Sequence, residues 1–344
     1  MVLLGSQLAP ANAVIQKETV SGSAVSTATK TTTAAATAKL YRPSAKNSGL
    51  RWASGVFLRD DHAAAHNKFG KWRGFKTDIA MTYGARDNWA KLIDPEWLYQ
   101  DWKSQKQKLV ISEAPFPDAT KKTKYTLKAC AAGKYDAQWE QFGINVANAG
   151  MQNRVIVRLG WEFNGTWTPW AAYHPTNFVG CWKHVFKAAE KAAPGLRWDW
   201  CVNRGYSGAL KDPRKAWPGK KYVDIVSEDS FDGYPPVKNL ASWNTHLNEP
   251  YGLKFWAKFA KSKDKAFALA EWGLYSGTDW KGHSGGDNPY YIKKMFGFFR
   301  SLGKNLAYES YFNDNSKQQA GAFSLNPKGG KEYKKQLKLS KKKT

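Results

Sequence analysis

From about residue 50 onward, short apolar runs alternate with longer amphipathic stretches. The runs fall at 55–59, 77–83, 108–113, 154–160, 197–202, 223–227, 266–270 and 306–311, each of strand length. Stretches of helical spacing separate them, as at 95–105, 136–149, 175–192, 251–261 and 288–302. Pro95 and Pro175 suit the first turn of a helix, where a missing N–H costs nothing. Eight strands joined by crossovers, in roughly 280 residues, is the count for a (β/α)8 TIM barrel. An open doubly wound sheet is the competing arrangement. It would need a glycine-rich phosphate loop after its first strand, and the chain has none.

The ends of the chain depart from this alternation. Residues 1–13 hold a short apolar stretch that closes on Ala11-Asn12-Ala13, a cleavage-like signature without a positive leader. This predicts a signal-peptide remnant and a secreted, extracellular protein. Residues 14–49 include a Ser/Thr/Ala-rich segment with no periodicity, which reads as a disordered linker. The folded barrel domain is then expected over 50–327, followed by a Lys-rich tail over 328–344.

Within the barrel pattern two glutamates stand out. Glu162 follows Val155-Ile156-Val157-Arg158-Leu159-Gly160-Trp161 and precedes Phe163-Asn164-Gly165-Thr166-Trp167. Glu271 follows Ala266-Phe267-Ala268-Leu269-Ala270 and precedes Trp272-Gly273. Each ends a strand-like run, counted as the fourth and the seventh. In a barrel both would open onto the face that carries active sites. A pair of carboxylates can cleave a glycosidic bond, one as acid and one as nucleophile or base. The chain's 17 Trp, beyond what core packing asks for, suit flat indole faces that stack on pyranose rings.

These segments resemble glycoside hydrolase family 26, which belongs to a large clan of retaining (β/α)8 glycosidases and includes β-mannanases. Arg158-Leu159-Gly160-Trp161-Glu162-Phe163-Asn164-Gly165-Thr166-Trp167 is similar to the family's acid/base segment, and Ala270-Glu271-Trp272-Gly273 to the clan's nucleophile strand. The run 222–232, followed by Gly233, resembles the family's sixth strand. The resemblance implies Glu162 as general acid/base and Glu271 as nucleophile. It implies Asn164 and Trp167 beside the sugar subsites, Arg158 beside the carboxylates, and Asp229 lining the cleft.

Two positions differ from the resembling mannanases. Trp161 stands where they carry His, and Phe231 where they carry Tyr. Tyr234 is a candidate to supply the lost hydroxyl. Tyr83 and Trp272 are further candidates to line the substrate cleft. A drier floor and a missing hydroxyl argue for a preferred sugar other than mannan.

Composition narrows the partners. Lys and Arg exceed Asp and Glu by 53 − 28 = +25. Of this the segment 328–344, with eight Lys and one Glu, supplies only +7, so the basic character is spread over the domain. Attraction to a polyanionic surface follows. No zinc-finger, homeodomain or RNA-binding pattern points to nucleic acid. No apolar run reaches the ~18 residues of a membrane span. His62, His66 and His174 match no complete ligand set, so neither metal nor cofactor is expected. Cys130, Cys181 and Cys201 permit at most one disulfide, and Cys181 and Cys201 read equally as small buried hydrophobes.

The expected protein is a monomeric endo-acting hydrolase of a polysaccharide. The alternatives are a non-catalytic carbohydrate-binding barrel, an adhesive cell-surface protein, and a hydrolase of a charged microbial-envelope polysaccharide.

Overall fold

A computed structural model describes residues 40–118, 124–277 and 282–342. Eight parallel strands close into a barrel in chain order. They are β1 (Ala53–Phe57), β2 (Ile79–Tyr83), β3 (Lys108–Glu113), β4 (Val155–Leu159), β5 (Arg197–Asn203), β6 (Ile225–Phe231), β7 (Ala266–Gly273) and β8 (Leu306–Phe312). The helices are α1 (Ala63–Arg73), α2 (Trp89–Ile93), α3 (Glu96–Trp102), α4 (Leu127–Ala131), α5 (Asp136–Asn148), α6 (Pro175–Ala192), α7 (Leu240–Asn248), α8 (Leu253–Ser262), α9 (Pro289–Leu302) and α10 (Pro327–Leu339). Pairing of β1 with β8, from Ala53 opposite Tyr308 to Phe57 opposite Phe312, seals the ring.

Strand side chains alternate between the barrel interior and the helical ring. On β7, Glu271 points inward while Trp272 packs outward against Phe296 and Phe299 of α9 and Tyr333 of α10. On β6, Asp229 points inward, and Ser230 bonds His246 of α7 at 3.0 Å. The pairing of these two strands slips once: Glu228 faces Leu269, but Asp229 faces Glu271. A bulge of this kind re-aims a side chain. Here it skips Ala270 and sets two carboxylates side by side.

Four strands end later than their apolar stretches suggested, β5 and β8 by a single residue and β6 and β7 by more. β6 continues through Asp229 to Phe231, and β7 through Glu271 to Gly273. Polar residues ended the apolar pattern early, although each is buried; Asp229 and Glu271 are bonded inside the barrel and Ser230 to the helical ring. β1 begins at Ala53 and stops at Phe57, which makes Phe57 its last residue. α1 showed no apolar period because His66, Gly70 and Arg73 are among its buried residues.

The boundaries also shift. Residues 47 and 48, within the segment read as linker, bond the buried Asp78: both backbone N–H groups donate to Oδ1, at 3.0 and 3.1 Å, and the Ser48 hydroxyl reaches Oδ2 at 2.5 Å. The lysine-rich segment is mostly α10, a barrel helix whose Tyr333 and Leu337 are fully buried. Its Tyr333 hydroxyl accepts from Arg73 at 3.0 Å. Lysines on the exposed face masked this amphipathic pattern. The signal-peptide remnant, most of the linker and the last two residues lie outside the described residues.

Cys130 on α4 and Cys181 on α6 form a disulfide across 51 residues, so Cys181 is a cross-link rather than a small hydrophobe; Cys201 is free and buried. Closing a loop of this length restricts the unfolded chain, an effect of about 2–4 kcal/mol. Replacing both half-cystines by Ala should lower the unfolding free energy by about that amount, read from urea melts of the two proteins. An unchanged midpoint would show that the bridge adds no stability.

Candidate active site

At the C-terminal ends of the strands, Arg158 organises a buried cluster. It sits on β4 and is fully buried. One terminal nitrogen donates to Glu271 Oε1 at 2.5 Å and to Ser112 Oγ at 2.8 Å. The other donates to Asp229 Oδ2. Asp229 Oδ1 in turn accepts the Glu271 backbone N–H at 3.0 Å and faces the Cys201 thiol at 3.4 Å. Burial pushes the Asp229 carboxyl up, with Arg158 pulling the other way. Burial likewise pushes the Cys201 thiol up, which keeps it a neutral donor.

Glu271 is 5% exposed and receives a second side-chain donor, the Tyr83 hydroxyl from the end of β2. Both donors meet Oε1. Glu162 is different. It is half-buried, and its Oε2 accepts the Trp167 indole N–H at 2.8 Å. Burial, followed by the Glu271 charge, raises its carboxyl to about 7. The two glutamates therefore differ in their surroundings: Glu271 meets a guanidinium and a phenol, whereas burial and the neighbouring carboxylate hold Glu162 toward its protonated form.

The loop after β4 is shaped to present Glu162. Gly160 and Glu162 both have left-handed backbones, at φ 53° and 52°. That conformation is uncommon for a glutamate and is held by its neighbours. The Glu162 N–H donates to Cys201 O at 3.1 Å, and its carbonyl accepts Gly165 N at 2.8 Å. A side chain at Gly165 would place its Cβ 2.3 Å from the Trp167 ring, so glycine there lets the indole fold back toward Glu162.

Asn164 lies beneath the loop. It is fully buried, with Nδ2 donating to Asn203 O and Oδ1 accepting Asn203 N, both at 2.8 Å. It ties the loop to the end of β5 instead of lining a subsite. Trp272 is also away from the cleft, fully buried behind β7, with its indole N–H on Glu309 at 2.6 Å. Adjacency to Glu271 in sequence puts it on the opposite face of the strand.

Trp161 is 7% exposed. It packs between the guanidiniums of Arg158 and Arg86, 5.7 and 5.6 Å from its ring centre, with Tyr83 5.2 Å away. It therefore forms the underside of the floor. Trp167, by contrast, is 54% exposed at the cleft. Tyr234, half-exposed, stacks on His283 at 4.6 Å. The hydroxyl on Glu271 comes from Tyr83 and not from Tyr234.

Phe231 belongs to a row of half-buried aromatics at the strand ends. It meets Phe312 at 5.6 Å, Phe312 stacks on Phe57 at 4.3 Å, and Phe57 meets Tyr83 at 5.3 Å. Sequence reasoning missed Phe57, Phe312, Ser112 and Cys201. The two Phe would have emerged from exact strand ends, since each is the last residue of its strand. Nothing in their local sequence marks Ser112 or Cys201.

No protein-family model matches the chain, and no curated protein is similar to it in sequence. Solved structures are similar in fold. The catalytic domain of a Bacillus sp. family 26 endo-β-1,4-mannanase superposes with a TM-score of 0.63 at 14% identity, over 85% of this chain and 88% of that one. A Cellulomonas fimi endo-β-1,4-mannanase double mutant gives 0.59 at 14% identity, over 83% and 70%. A family 26 β-mannanase of Bacteroides ovatus gives 0.56 at 14% identity, over 86% and 90%. The fold is thus the (β/α)8 barrel also found in glycoside hydrolase family 26 mannanases.

The raised carboxyl of Glu162 has a thermodynamic consequence. Its folded value, about 7, lies above the 4.5 of an ordinary glutamate. The native chain then holds a proton that the unfolded chain releases, so this contribution is full at low pH and is lost as pH rises toward 7. Stability of the wild type relative to Glu162→Gln should therefore fall between pH ~5 and ~7.5, measured by urea unfolding at both. A difference that stays constant would place the Glu162 carboxyl in its ordinary range, and one that grows would place it below that range; either refutes the raised value.

Proposed function

We propose that the protein is a glycoside hydrolase that cleaves internal β-glycosidic bonds of a polysaccharide with retention of configuration. The observation that carries this reading is the contrast between the two glutamates. Glu271 is held by Arg158 and Tyr83, while Glu162 is raised to about 7. The fold shared with the mannanases supports the same reading.

In this reading Glu271 is the nucleophile. Among the described residues both of its side-chain donors occupy Oε1, and Oε2 is the oxygen that attacks the anomeric carbon. Glu162 gives its proton to the departing glycosidic oxygen as that bond breaks, and a covalent glycosyl-enzyme forms on Glu271. Glu162, now ionised, takes a proton from water. The resulting hydroxide attacks the anomeric carbon and releases Glu271. Trp167 orients Glu162, and the aromatic row from Tyr83 to Phe231 offers apolar surface to the C–H faces of a sugar.

The substrate follows from the same row. Phe231 contributes no hydroxyl, and Trp161 is packed away beneath the floor. We take the preferred substrate to be a β-glycan other than unsubstituted mannan, cleaved outside the cell. The disulfide supports such an oxidising location.

Glu162→Gln should lose about 10²–10⁴-fold on polysaccharide and far less on an aryl glycoside whose leaving group needs no proton. The wild type should show a decline in kcat/KM as pH rises through about 7, and Glu162→Gln should lose it. Equal losses on both substrates would make Glu162 a positional residue only.

Glu271→Ala should abolish turnover, and azide should restore part of it on the aryl glycoside by attacking in place of the missing carboxylate. Full activity of a folded Glu271→Ala protein would remove Glu271 from the mechanism. Product analysis over β-mannan, β-glucan, xylan and acidic polysaccharides tests the substrate. Unsubstituted β-mannan as the best substrate would refute the reading of Trp161 and Phe231.

A further inference from the structure

A second feature lies away from the cleft, on the helical ring between α1 and α10. A groove of about 510 Å³ runs there, floored by Trp72 and Phe323 and edged by Lys331, Lys334, Lys335 and Lys338. The four lysines are spaced i, i+3, i+4 and i+7, so they share one helix face. Like charges at that spacing destabilise a helix. Among the described residues none of the four is in an ion pair. Lys331, Lys335 and Lys338 are exposed. The Lys334 ammonium is held 4.1 Å from the centre of the Trp72 ring, and Phe323 lies nearly parallel to that ring at 5.2 Å. The chain as a whole carries +25, which adds long-range attraction for an anion.

We propose that this groove is a binding site for an acidic polysaccharide, a chain of uronate-type sugars whose carboxylates meet the lysine stripe. The stripe rises about 10 Å from Lys331 to Lys338, a length comparable with about two pyranose rings. A recessed groove admits a strand, whereas a bilayer needs a flat or protruding face. Single-stranded nucleic acid binds such surfaces by stacking bases on open aromatic faces. Trp72 is already in contact with Phe323, Phe69 and the Lys334 ammonium, so it braces the groove more than it offers a platform. The site does not depend on the chemistry of the cleft, because binding is read without turnover.

The test is retardation of the full chain in native gels cast with polygalacturonate, with neutral galactomannan as reference, at fixed ionic strength. The wild type should be retarded by polygalacturonate. Lys331→Ala/Lys334→Ala/Lys335→Ala/Lys338→Ala should bind it about tenfold more weakly, the sum of four modest surface contacts. The same four positions changed to Arg should retain binding. A control carrying Lys221→Ala, Lys254→Ala, Lys258→Ala and Lys261→Ala removes equal charge elsewhere and should bind nearly as the wild type does. Melting temperatures of all variants check that each is folded. Absence of retardation of the wild type overturns the proposal, as does equal weakening in the control, which would mean diffuse charge. It is also overturned if a single-stranded DNA oligonucleotide or phosphatidylserine vesicles bind as tightly and lose that binding in the four-Ala variant.

Discussion

One buried cation holds the site together. Arg158 has no access to solvent, and it touches two carboxylates that come from different strands. A guanidinium in that position is costly to desolvate and repays the cost only through well-placed partners. The planar fork of Arg supplies them, reaching Ser112 on β3, Asp229 on β6 and Glu271 on β7 from a seat on β4. The β6–β7 bulge, the inward turn of Glu271 and the burial of Asp229 all make sense around this one charge. Removing it would leave two carboxylates uncompensated inside the barrel, a loss of about 3–5 kcal/mol for a buried pair. Lys would be a poor substitute, since one ammonium cannot span the same three acceptors in a fixed plane.

The same cluster explains how two chemically identical side chains acquire different characters. Glu271 sits where donors converge, while Glu162 stands on a loop where its one side-chain donor is an indole and burial dominates. The difference is built into the backbone. Glu271 is locked in a strand that is buried along its whole length, and Glu162 sits in a left-handed turn whose N–H is tied to the end of β5. The position of the acid therefore depends on Cys201 and Asn203, two residues of the neighbouring strand β5.

The barrel and its strand order were legible because strands buried on both faces read as apolar runs, and eight such runs with helical spacers leave few alternatives. Glu162, Glu271, Arg158 and Asp229 were legible as a group through the resemblance of their segments. What was illegible has several causes. Trp272 stands beside Glu271 in sequence, but adjacent positions in a strand face opposite ways, and Asn164 is turned under its loop by its two bonds to Asn203. Phe57 and Phe312 depended on a strand end that composition misplaces by two residues or less. The partner of the Glu271 carboxylate, Tyr83, was in view as a residue of the cleft, but its bond spans 188 positions and no local pattern encodes it. α10 was concealed by its lysines, whose charge outweighs the apolar stripe of Tyr333 and Leu337 in any running average.

That last helix bears on how the protein is handled. Its Tyr333 packs against Trp272, the residue that follows Glu271, and bonds Arg73 of the first helix. Just beyond it the chain returns to Leu50, bridged to Lys341, so the two ends of the domain are fastened to each other. A shortened protein that stops before residue 327, drawn to discard a basic appendage, would strip the outer cover from β7 and β8. It would expose the back of the strand that carries Glu271. Loss of activity in such a truncation would report a ruptured barrel wall and would say nothing about the charge that was removed.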